Sequence, residues 1–351
     1  MRGFDSHHPL HQTHQPCNLV NKLGGRVYFF SLSVRGYAYL CRESEGLPLL
    51  LYIALPVVGL FIFLLGLRLM SAALLRLTGS RLQIWLARMT KTPFRGTLVG
   101  TIVTAIIQSS SATTVIIVAA VNAGILTLKQ AVSLIAGANV GTTLTTQLVA
   151  LQLYQIVVPA FIAGFLLAIF PGSRQIGWVL IGLGMCFFGL QMMSQNLSFI
   201  LELPLVQQLL LACSPSPYLG IMVGIVITAI VQSSTAVAAV VISLAATNAL
   251  DLSAAISIAL GSNIGTCVTA MLAALGTNRA ARQAAMAHLL FNVSGVVAVL
   301  PFYAAFLDLV ASTAPDLMRQ IANGHTLFNL LSALVFLLLA TPLSRTLERM
   351  S

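Results

Sequence analysis

The sequence predicts an all-α polytopic membrane protein that crosses the bilayer about seven times and also carries two re-entrant hairpins. Three observations predict this fold: the composition, a succession of long apolar segments, and an internal repeat. Of the 351 residues, 58% are apolar and 7% are charged, and the mean hydropathy is +0.95. In a soluble domain about 25% of the residues are charged. The composition therefore excludes a soluble enzyme, and no polar region is long enough to be an anchored domain.

The charged and sulfur-containing residues exclude two further classes of protein. The net charge of +10 comes from 18 Lys and Arg residues spread thinly between apolar stretches, which is typical of membrane-protein loops rather than of a nucleic-acid-binding surface. The five Cys residues fall at unrelated spacings and predict neither a disulfide framework nor a zinc site. Residues 1–47 are polar and basic, and we expect them to form a tail without regular structure. The alternative is a weak metal-binding tract of His7, His8, His11 and His14.

Beyond this tail, apolar segments follow one another almost without interruption. Each is long enough to cross, or nearly cross, a hydrocarbon core about 30 Å thick as a helix. Strands rarely exceed about ten residues, so the length of these segments indicates helices. The segments are 48–70, 97–123, 127–150, 153–170, 176–196, 221–247, 252–275, 283–307 and 326–343.

The basic residues between the segments predict which ends face the cytoplasm. Arg95 and Lys129 flank segment 97–123, and the positive-inside rule places both on the cytoplasmic side. This segment must then enter and leave by the same face, which makes it a re-entrant hairpin. The same parity argument makes 221–247 a hairpin that enters from outside. We therefore expect seven crossings, two hairpins and a cytoplasmic C terminus in the cell (inner) membrane.

The chain contains an internal repeat. Residues 96–147 align with residues 220–271 at a constant offset of 124, without a gap, and share 19 identities in 52 positions. Basic residues precede the first copy and follow the second, so the two copies are expected to face opposite ways across the membrane. We assign the first repeat to 48–197 and the second, inverted repeat to 198–345. Inverted repeats with interrupted helices are the architecture of secondary transporters.

Each repeat carries two polar islands inside its apolar segments. The first kind is a Gln-Ser-Ser motif at 108–114 and 232–236, and the second is a Gly-x-Asn-x-Gly-Thr motif at 137–143 and 261–267. Non-helical chain in a membrane is tolerated only where protein or a watery cavity covers it. Because glycine is unfavourable within a helix, we expect the second islands to break the helices over 127–150 and 252–275. The alternative is that these small residues only let helices pack closely.

The islands contain hydroxyls, carboxamides and backbone groups, but no carboxylate and no basic side chain. A proton relay therefore has no candidate carboxylate, and no Lys or Arg lies within an island to bind an anion. Carbonyl and hydroxyl oxygens suit a hard cation such as sodium, whereas hydroxyls and the N–H groups of a helix start suit an oxyanion. A site holding both would let the charge of a cation offset that of an anion, which is the physical basis of symport.

The duplicated Gln-Ser-Ser-(Ser/Thr)-Ala islands, each followed by Gly-x-Asn-(Val/Ile)-Gly-Thr, resemble the type II sodium–phosphate cotransporter family over about residues 48–345. The resemblance implies a sodium-coupled symporter of inorganic phosphate that works by alternating access, with no cofactor and no enzymatic activity. Phosphate and sodium are the ligands it implies. The binding residues that it implies are Gln108, Ser109, Ser110, Ser111, Thr113, Asn139, Thr142, Thr143, Gln232, Ser233, Ser234, Thr235, Asn263 and Thr266.

The two copies differ at positions that predict an asymmetric site. The second copy has lost three side-chain hydroxyls, so that a sodium position on one side can be missing on the other. The substitutions are Val237, Ala238 and Cys267 in place of Thr113, Thr114 and Thr143.

Other functions stay open at this point. A transporter of another oxyanion or of a dicarboxylate would have the same architecture, although a carboxylate is usually bound by an Arg. A membrane-embedded hydrolase would need a serine nucleophile from 109–111 and a base, for which His288 or His325 is the candidate. Each of these histidines precedes an Asn by four residues and shares a helix face with it. For these pairs we favour hydrogen bonding between helices over a supporting or proton-sensitive role.

Overall fold

The computed structural model describes residues 27–31, 38–42, 47–78, 90, 92–196 and 204–349. Within residues 1–51, strand β1 (Val27–Ser31) pairs antiparallel with strand β2 (Ala38–Arg42). The expectation that residues 1–47 have no regular structure is therefore wrong for these two strands. Their aromatic and β-branched residues favour extended chain. The four histidines of this region lie outside the described residues.

From residue 52 onward, the described chain is helical apart from its turns. Short 3₁₀ turns at Tyr154–Ile156 and Leu300–Phe302 connect neighbouring helices. The α-helices are α1 (Leu47–Thr78), α2 (Pro93–Ile107), α3 (Ser110–Asn122), α4 (Leu128–Ala150), α5 (Val157–Ile169), α6 (Arg174–Asn196), α7 (Pro204–Cys213), α8 (Pro217–Val231), α9 (Ser234–Ala246), α10 (Leu252–Ala273), α11 (Arg279–Val299), α12 (Tyr303–Ala311) and α13 (Leu317–Arg349).

Several of these elements have the length and composition of membrane spans. Among the described residues, four stretches qualify, namely Ala54–Leu74, Arg174–Asn196, Leu252–Ala273 and Arg279–Ala311. Helix α4 together with Tyr154–Ile169 would form a fifth, but the two parts are bent by 83°. The chain is thus a helical protein with four to five membrane-length elements, while the count of seven crossings stays a prediction.

Helices α2 and α3 form a hairpin around a two-residue break. Gln108 ends α2 in the left-handed conformation (φ 58°, ψ 23°), and the Ser109 side chain caps α3 by accepting the N–H of Ala112. The end of α3 lies close to the start of α2, as a hydrogen bond between the flanking residues shows. The Gln130 side chain at the start of α4 donates to the hydroxyl of Thr90, which precedes α2, at 2.9 Å. The break at Gln108 and Ser109 is therefore the tip of the hairpin.

Helices α8 and α9 repeat this geometry. Gln232 ends α8 with φ 56° and ψ 26°, and Ser233 caps α9 by accepting the N–H of Ala236. The residues that flank this hairpin are also joined, since the Ser253 hydroxyl donates to the Ser214 carbonyl at 3.1 Å. The two Gln-Ser-Ser motifs thus produce the same break in the same place of two hairpins.

The Gly-x-Asn islands do not break their helices. Helices α4 and α10 are continuous, so the prediction of broken helices over 127–150 and 252–275 is wrong. A Cβ atom on Gly137 would lie 1.9 Å from the Thr97 carbonyl oxygen, and one on Gly261 would lie 2.0 Å from that of Ile221. These glycines therefore let α4 pack directly against the backbone of α2, and α10 against that of α8, as small residues do in membrane helices.

The helices differ in how much of their surface is buried within the protein. Of the membrane-length part of α10, 72% is buried within the protein, against 33% of Ala54–Leu74 in α1. Helix α10 is thus a central element, and α1 lies at the edge of the bundle with one face against the rest.

Candidate binding site

The tips of the two hairpins meet in one cavity of about 530 Å³. The Ser111 hydroxyl donates to the main-chain carbonyl of Gln232 at 3.3 Å and so joins one tip to the other. One face of α1 completes the wall. The lining consists of residues 107–112, residues 230–235 and, from α1, Leu64, Leu67, Arg68, Ser71 and Ala72.

Three hydroxyls in this lining are available to a ligand. Ser110, Ser234 and Thr235 are each only 4% exposed. None of their side-chain oxygens has a hydrogen-bond partner among the residues that the structure describes. These hydroxyls line the cavity and are not enclosed in the protein interior, so a ligand with acceptor oxygens can pair with them.

Two helices begin at the cavity and point their N-terminal ends into it. The capping side chains of Ser109 and Ser233 each accept one N–H of the first turn, at 3.2 Å. The N–H groups at the first two positions of α3 and α9 have no acceptor within their own helix. Together with the helix dipoles, they give the cavity a positive potential that favours an anion with several acceptor oxygens.

Two other helices end at the same breaks and supply carbonyl oxygens. The last carbonyls of α2 and α8 lie beside the tips, where the Ser71 hydroxyl donates to the carbonyl of Ile107. Carbonyl and hydroxyl oxygens are the ligands that a hard monovalent cation prefers. One cavity thus contains donors for an anion and acceptors for a cation.

Eight of the residues predicted from sequence line this cavity, and six do not. The hydroxyls of the four threonines in the second group bond to a carbonyl three or four residues earlier in the chain, at 2.8–3.0 Å. Such local bonds occupy a hydroxyl and point it away from a ligand. The residues outside the lining are Thr113, Asn139, Thr142, Thr143, Asn263 and Thr266.

The two asparagines belong to buried polar clusters, which we call the α4–α11 node (Asn139, His288 and Asn292) and the α10–α13 node (Asn263, His325 and Asn329). In each node the Asn of the Gly-x-Asn motif contacts the histidine Nε2, at 3.4 Å and 3.0 Å respectively. It also donates to the second Asn at 3.4 Å in both cases. The nodes therefore have the geometry of hydrogen bonding between helices.

Sequence reasoning missed the contribution of α1. Arg68 and Ser71 line the cavity, although both lie within an apolar stretch, Ala54–Leu74. The available signal was the charge itself, because an ionisable residue inside a membrane segment is expected to be functional. Arg68 supplies the guanidinium whose absence from the islands had disfavoured a dicarboxylate as the ligand.

These features define a class of protein: a multi-pass helical membrane protein in which two interrupted helical hairpins meet at a polar cavity. The sequence model of the family described as Na+/Pi-cotransporter matches residues 62–195 and residues 202–337. The chain belongs to the Na+/Pi-cotransporter family. No solved structure matches it.

Three relatives illustrate this similarity. The chain is 36% identical over 292 residues to "Uncharacterized protein YqeW" of Bacillus subtilis (strain 168), covering 82% of this chain and 94% of that protein. It is 27% identical over 285 residues to "Putative inorganic phosphate export protein YjbB" of Escherichia coli (strain K12), covering 80% of this chain and 52% of that protein. It is 35% identical over 131 residues to "Sodium-dependent phosphate transport protein 2A" of Oryctolagus cuniculus, covering 32% of this chain and 20% of that protein. The alignments thus span about half of the Escherichia coli protein and a fifth of the rabbit protein.

Proposed function

We propose that this chain is a sodium-coupled symporter of inorganic phosphate in the cell membrane, working by alternating access. The observation that carries the proposal is the cavity in which the two Gln-Ser-Ser tips meet, lined by hydroxyls that have no hydrogen-bond partner among the described residues. Membership of a Na+/Pi-cotransporter family supports phosphate and sodium as the ligands. The proposed binding residues are Gln108, Ser109, Ser110, Ser111, Gln232, Ser233, Ser234 and Thr235.

The two kinds of polar group divide the work of binding. Phosphate near neutral pH presents mainly acceptor oxygens, so it pairs with the hydroxyls and with the N–H groups at the starts of α3 and α9. Sodium takes the carbonyl and hydroxyl oxygens at the ends of α2 and α8. Each ion lowers the electrostatic cost of holding the other, which favours their joint transport.

The contacts of α4 and α10 support an inverted arrangement of the repeats. Asn139 of α4 and Cys267 of α10 both contact His288. Further along, Thr146 of α4 and Asn263 of α10 both contact the histidine of α13. Residue numbers rise along α4 and fall along α10 between these two points, so the helices run in opposite directions. Hairpins that enter from opposite faces of the bilayer are consistent with this direction.

The test is uptake of labelled phosphate into proteoliposomes with sodium, potassium or choline outside. We expect uptake with sodium only, and a strong loss when both Ser110→Ala and Ser234→Ala are introduced. Ser312→Ala is the matched control, because Ser312 is exposed at the end of α12 and, within the described structure, its hydroxyl donates only to the Leu309 carbonyl. Equal uptake with all three cations would disprove sodium coupling, and full uptake by the double variant would disprove the site.

A second candidate direction of transport is export, which the printed name of the Escherichia coli relative states for that protein. The direction of net flux through a symporter follows the combined gradients of its ligands. Proteoliposomes loaded with phosphate and sodium, and diluted into sodium-free buffer, test whether the protein can also export phosphate. A symporter is expected to release phosphate under these conditions, whereas a one-way importer would retain it.

The hydrolase alternative gains no support from the site. The described lining of the cavity contains Ser109, Ser110 and Ser111, but no His, Asp or Glu that could act as a base. His288 and His325 are buried in the two nodes, where they hydrogen-bond to asparagines. Among the described residues, a serine nucleophile at the tip would therefore have no general base beside it.

A further inference from the structure

One face of α1 is directed at the hairpin tips. Its cavity-lining residues are spaced as i, i+3, i+4, i+7 and i+8 from Leu64, which is the spacing of a single helix face. The Ser71 hydroxyl donates to the carbonyl of Ile107, the last residue of α2, and so fastens this face to the first tip. Arg68 lies one turn before Ser71 on the same face. The fold therefore fixes a cation beside the Gln-Ser-Ser loops.

Among the residues that the structure describes, no acidic side chain neutralises the charge of Arg68. Its side chain is exposed at the cavity and makes no hydrogen bond or ion pair with another residue in the part of the chain that the structure describes. The described lining contains no Asp or Glu. Arg68 also lies within the membrane-length stretch Ala54–Leu74, where a charged side chain is costly unless it faces a partner or a polar cavity.

A guanidinium that has no acidic partner among the described residues favours a ligand of negative charge. The starts of α3 and α9 direct positive potential into the same cavity, so the sum favours an anion and disfavours a lone cation. The guanidinium presents N–H groups in a planar fork that matches two oxygens of a phosphate. Sodium would meet repulsion from Arg68 in the empty cavity and would lose that repulsion once an anion is bound.

We propose that Arg68 is the anion-binding residue of the cavity, and that phosphate bound to it raises the affinity for sodium by neutralising the guanidinium. The proposal rests on the function proposed above. Binding free energies are reciprocal, so sodium must raise the affinity for phosphate by the same factor. Arg68 thereby both selects the anion and couples it to the cation.

The first experiment compares charge variants of the full chain in proteoliposomes. We expect Arg68→Gln to raise the KM for phosphate about tenfold or more, because a charge-assisted hydrogen bond is lost. Arg68→Lys keeps the positive charge but loses the planar guanidinium, so its KM for phosphate is expected to lie between those of the native protein and Arg68→Gln. Arg76→Gln is the matched control, since it removes the same charge from an exposed position two turns further along α1 and outside the cavity lining.

The second readout is the coupling between the two ions. In the native protein, raising the phosphate concentration is expected to lower the KM for sodium. In Arg68→Gln this dependence is expected to become much weaker, because the repulsion that phosphate relieves is gone and only the direct attraction between the two ions remains. A residue that merely supported the fold would not weaken the dependence selectively. A native KM for phosphate in Arg68→Gln, or an unchanged dependence between the ions, would overturn the proposal. Failure of the native protein to transport phosphate at all would instead overturn the proposed function.

Rescue by chemical charge separates binding from folding. In Arg68→Cys, the thiol is modified in the assembled protein by a methanethiosulfonate that carries either an ammonium or a sulfonate. The ammonium reagent is expected to restore much of the affinity for phosphate, and the sulfonate reagent is expected to lower it further. The native protein treated with each reagent is the control for its own cysteines, of which Cys186, Cys213 and Cys267 are buried. Equal effects of the two reagents would show that charge at residue 68 is irrelevant.

Discussion

The two hairpin tips have the same backbone but differ in their side chains. Gln108 is 8% exposed, and its Oε1 accepts a hydrogen bond from Thr145 at 2.5 Å. Gln232, its equivalent in the second repeat, is exposed at the cavity. The equivalent of Thr145 is Thr269, whose buried hydroxyl has no partner among the described residues. Identical sequence therefore fixes the break in both repeats, whereas the packing around each break decides where the glutamine points.

The two histidine nodes differ for another reason. In the α10–α13 node, the Nδ1 of His325 lies 3.1 Å from the hydroxyl of Thr146. In the α4–α11 node, the Nδ1 of His288 is buried without a partner within the described chain. The residue equivalent to Thr146 is Ala270, which has no hydroxyl to offer. The difference between the nodes follows from a substitution, Ala270 in place of Thr146. At the tips, the glutamines and their threonine partners are the same residues in both repeats.

The largest expected effect is a loss of stability at two glycines that pack in the same way in the two repeats. Gly137→Ala and Gly261→Ala each force a Cβ atom into a carbonyl oxygen, at 1.9 Å and 2.0 Å respectively. Because backbone on both sides must move, each is expected to lower the free energy of unfolding by about 3 kcal/mol. The measurement is thermal unfolding of the purified protein in detergent. Gly172→Ala is the control, since its Cβ would meet nothing within 4 Å. A large effect from one glycine without the other would contradict the equivalence of the two packings.

An intermediate effect is expected at the nodes. Thr146→Ala leaves the Nδ1 of His325 in the unpaired state that His288 already has, so we expect a loss of about 1–3 kcal/mol in the free energy of unfolding. Thr247→Ala is the control, because this hydroxyl is exposed and bonds only to the Leu244 carbonyl. If Thr146→Ala unfolds at the same temperature as the native protein, the contact with His325 contributes nothing to stability, and the difference between the nodes has no energetic meaning.

The sequence predicted the repeat and the position of the breaks better than the role of glycine. The hairpin shape predicted for 97–123 from its flanking basic residues agrees with the break at Gln108 and Ser109, although the rest of that island is helical. The glycines beside Asn139 and Asn263 were misinterpreted, because one sequence cannot distinguish a glycine that breaks a helix from one that meets another helix. That distinction depends on α2 and α8, more than 30 residues away in the chain.

Two features of the site were not predicted from the sequence. Arg68 was missed although its charge within an apolar segment was a signal, and its position beside the tips depends on how α1 packs. The difference between Gln108 and Gln232 is not indicated by the Gln-Ser-Ser residues or by the threonines equivalent to Thr145, which are the same in the two repeats. Only the packed structure assigns these side chains different environments.

The smallest expected effect addresses this difference at the tips. Thr145→Val removes the donor that holds Gln108, which we expect to cost about 1 kcal/mol and to change the KM for phosphate about fivefold. Thr269→Val removes a hydroxyl that has no partner in the described structure, so it is expected to leave stability unchanged or slightly raised. Sodium-driven phosphate uptake and thermal unfolding of the two variants, measured side by side, give the comparison. Equal effects of the two variants on both measurements would mean that Gln232 also pairs with Thr269 during transport. The different environments of Gln108 and Gln232 would then not persist through the transport cycle.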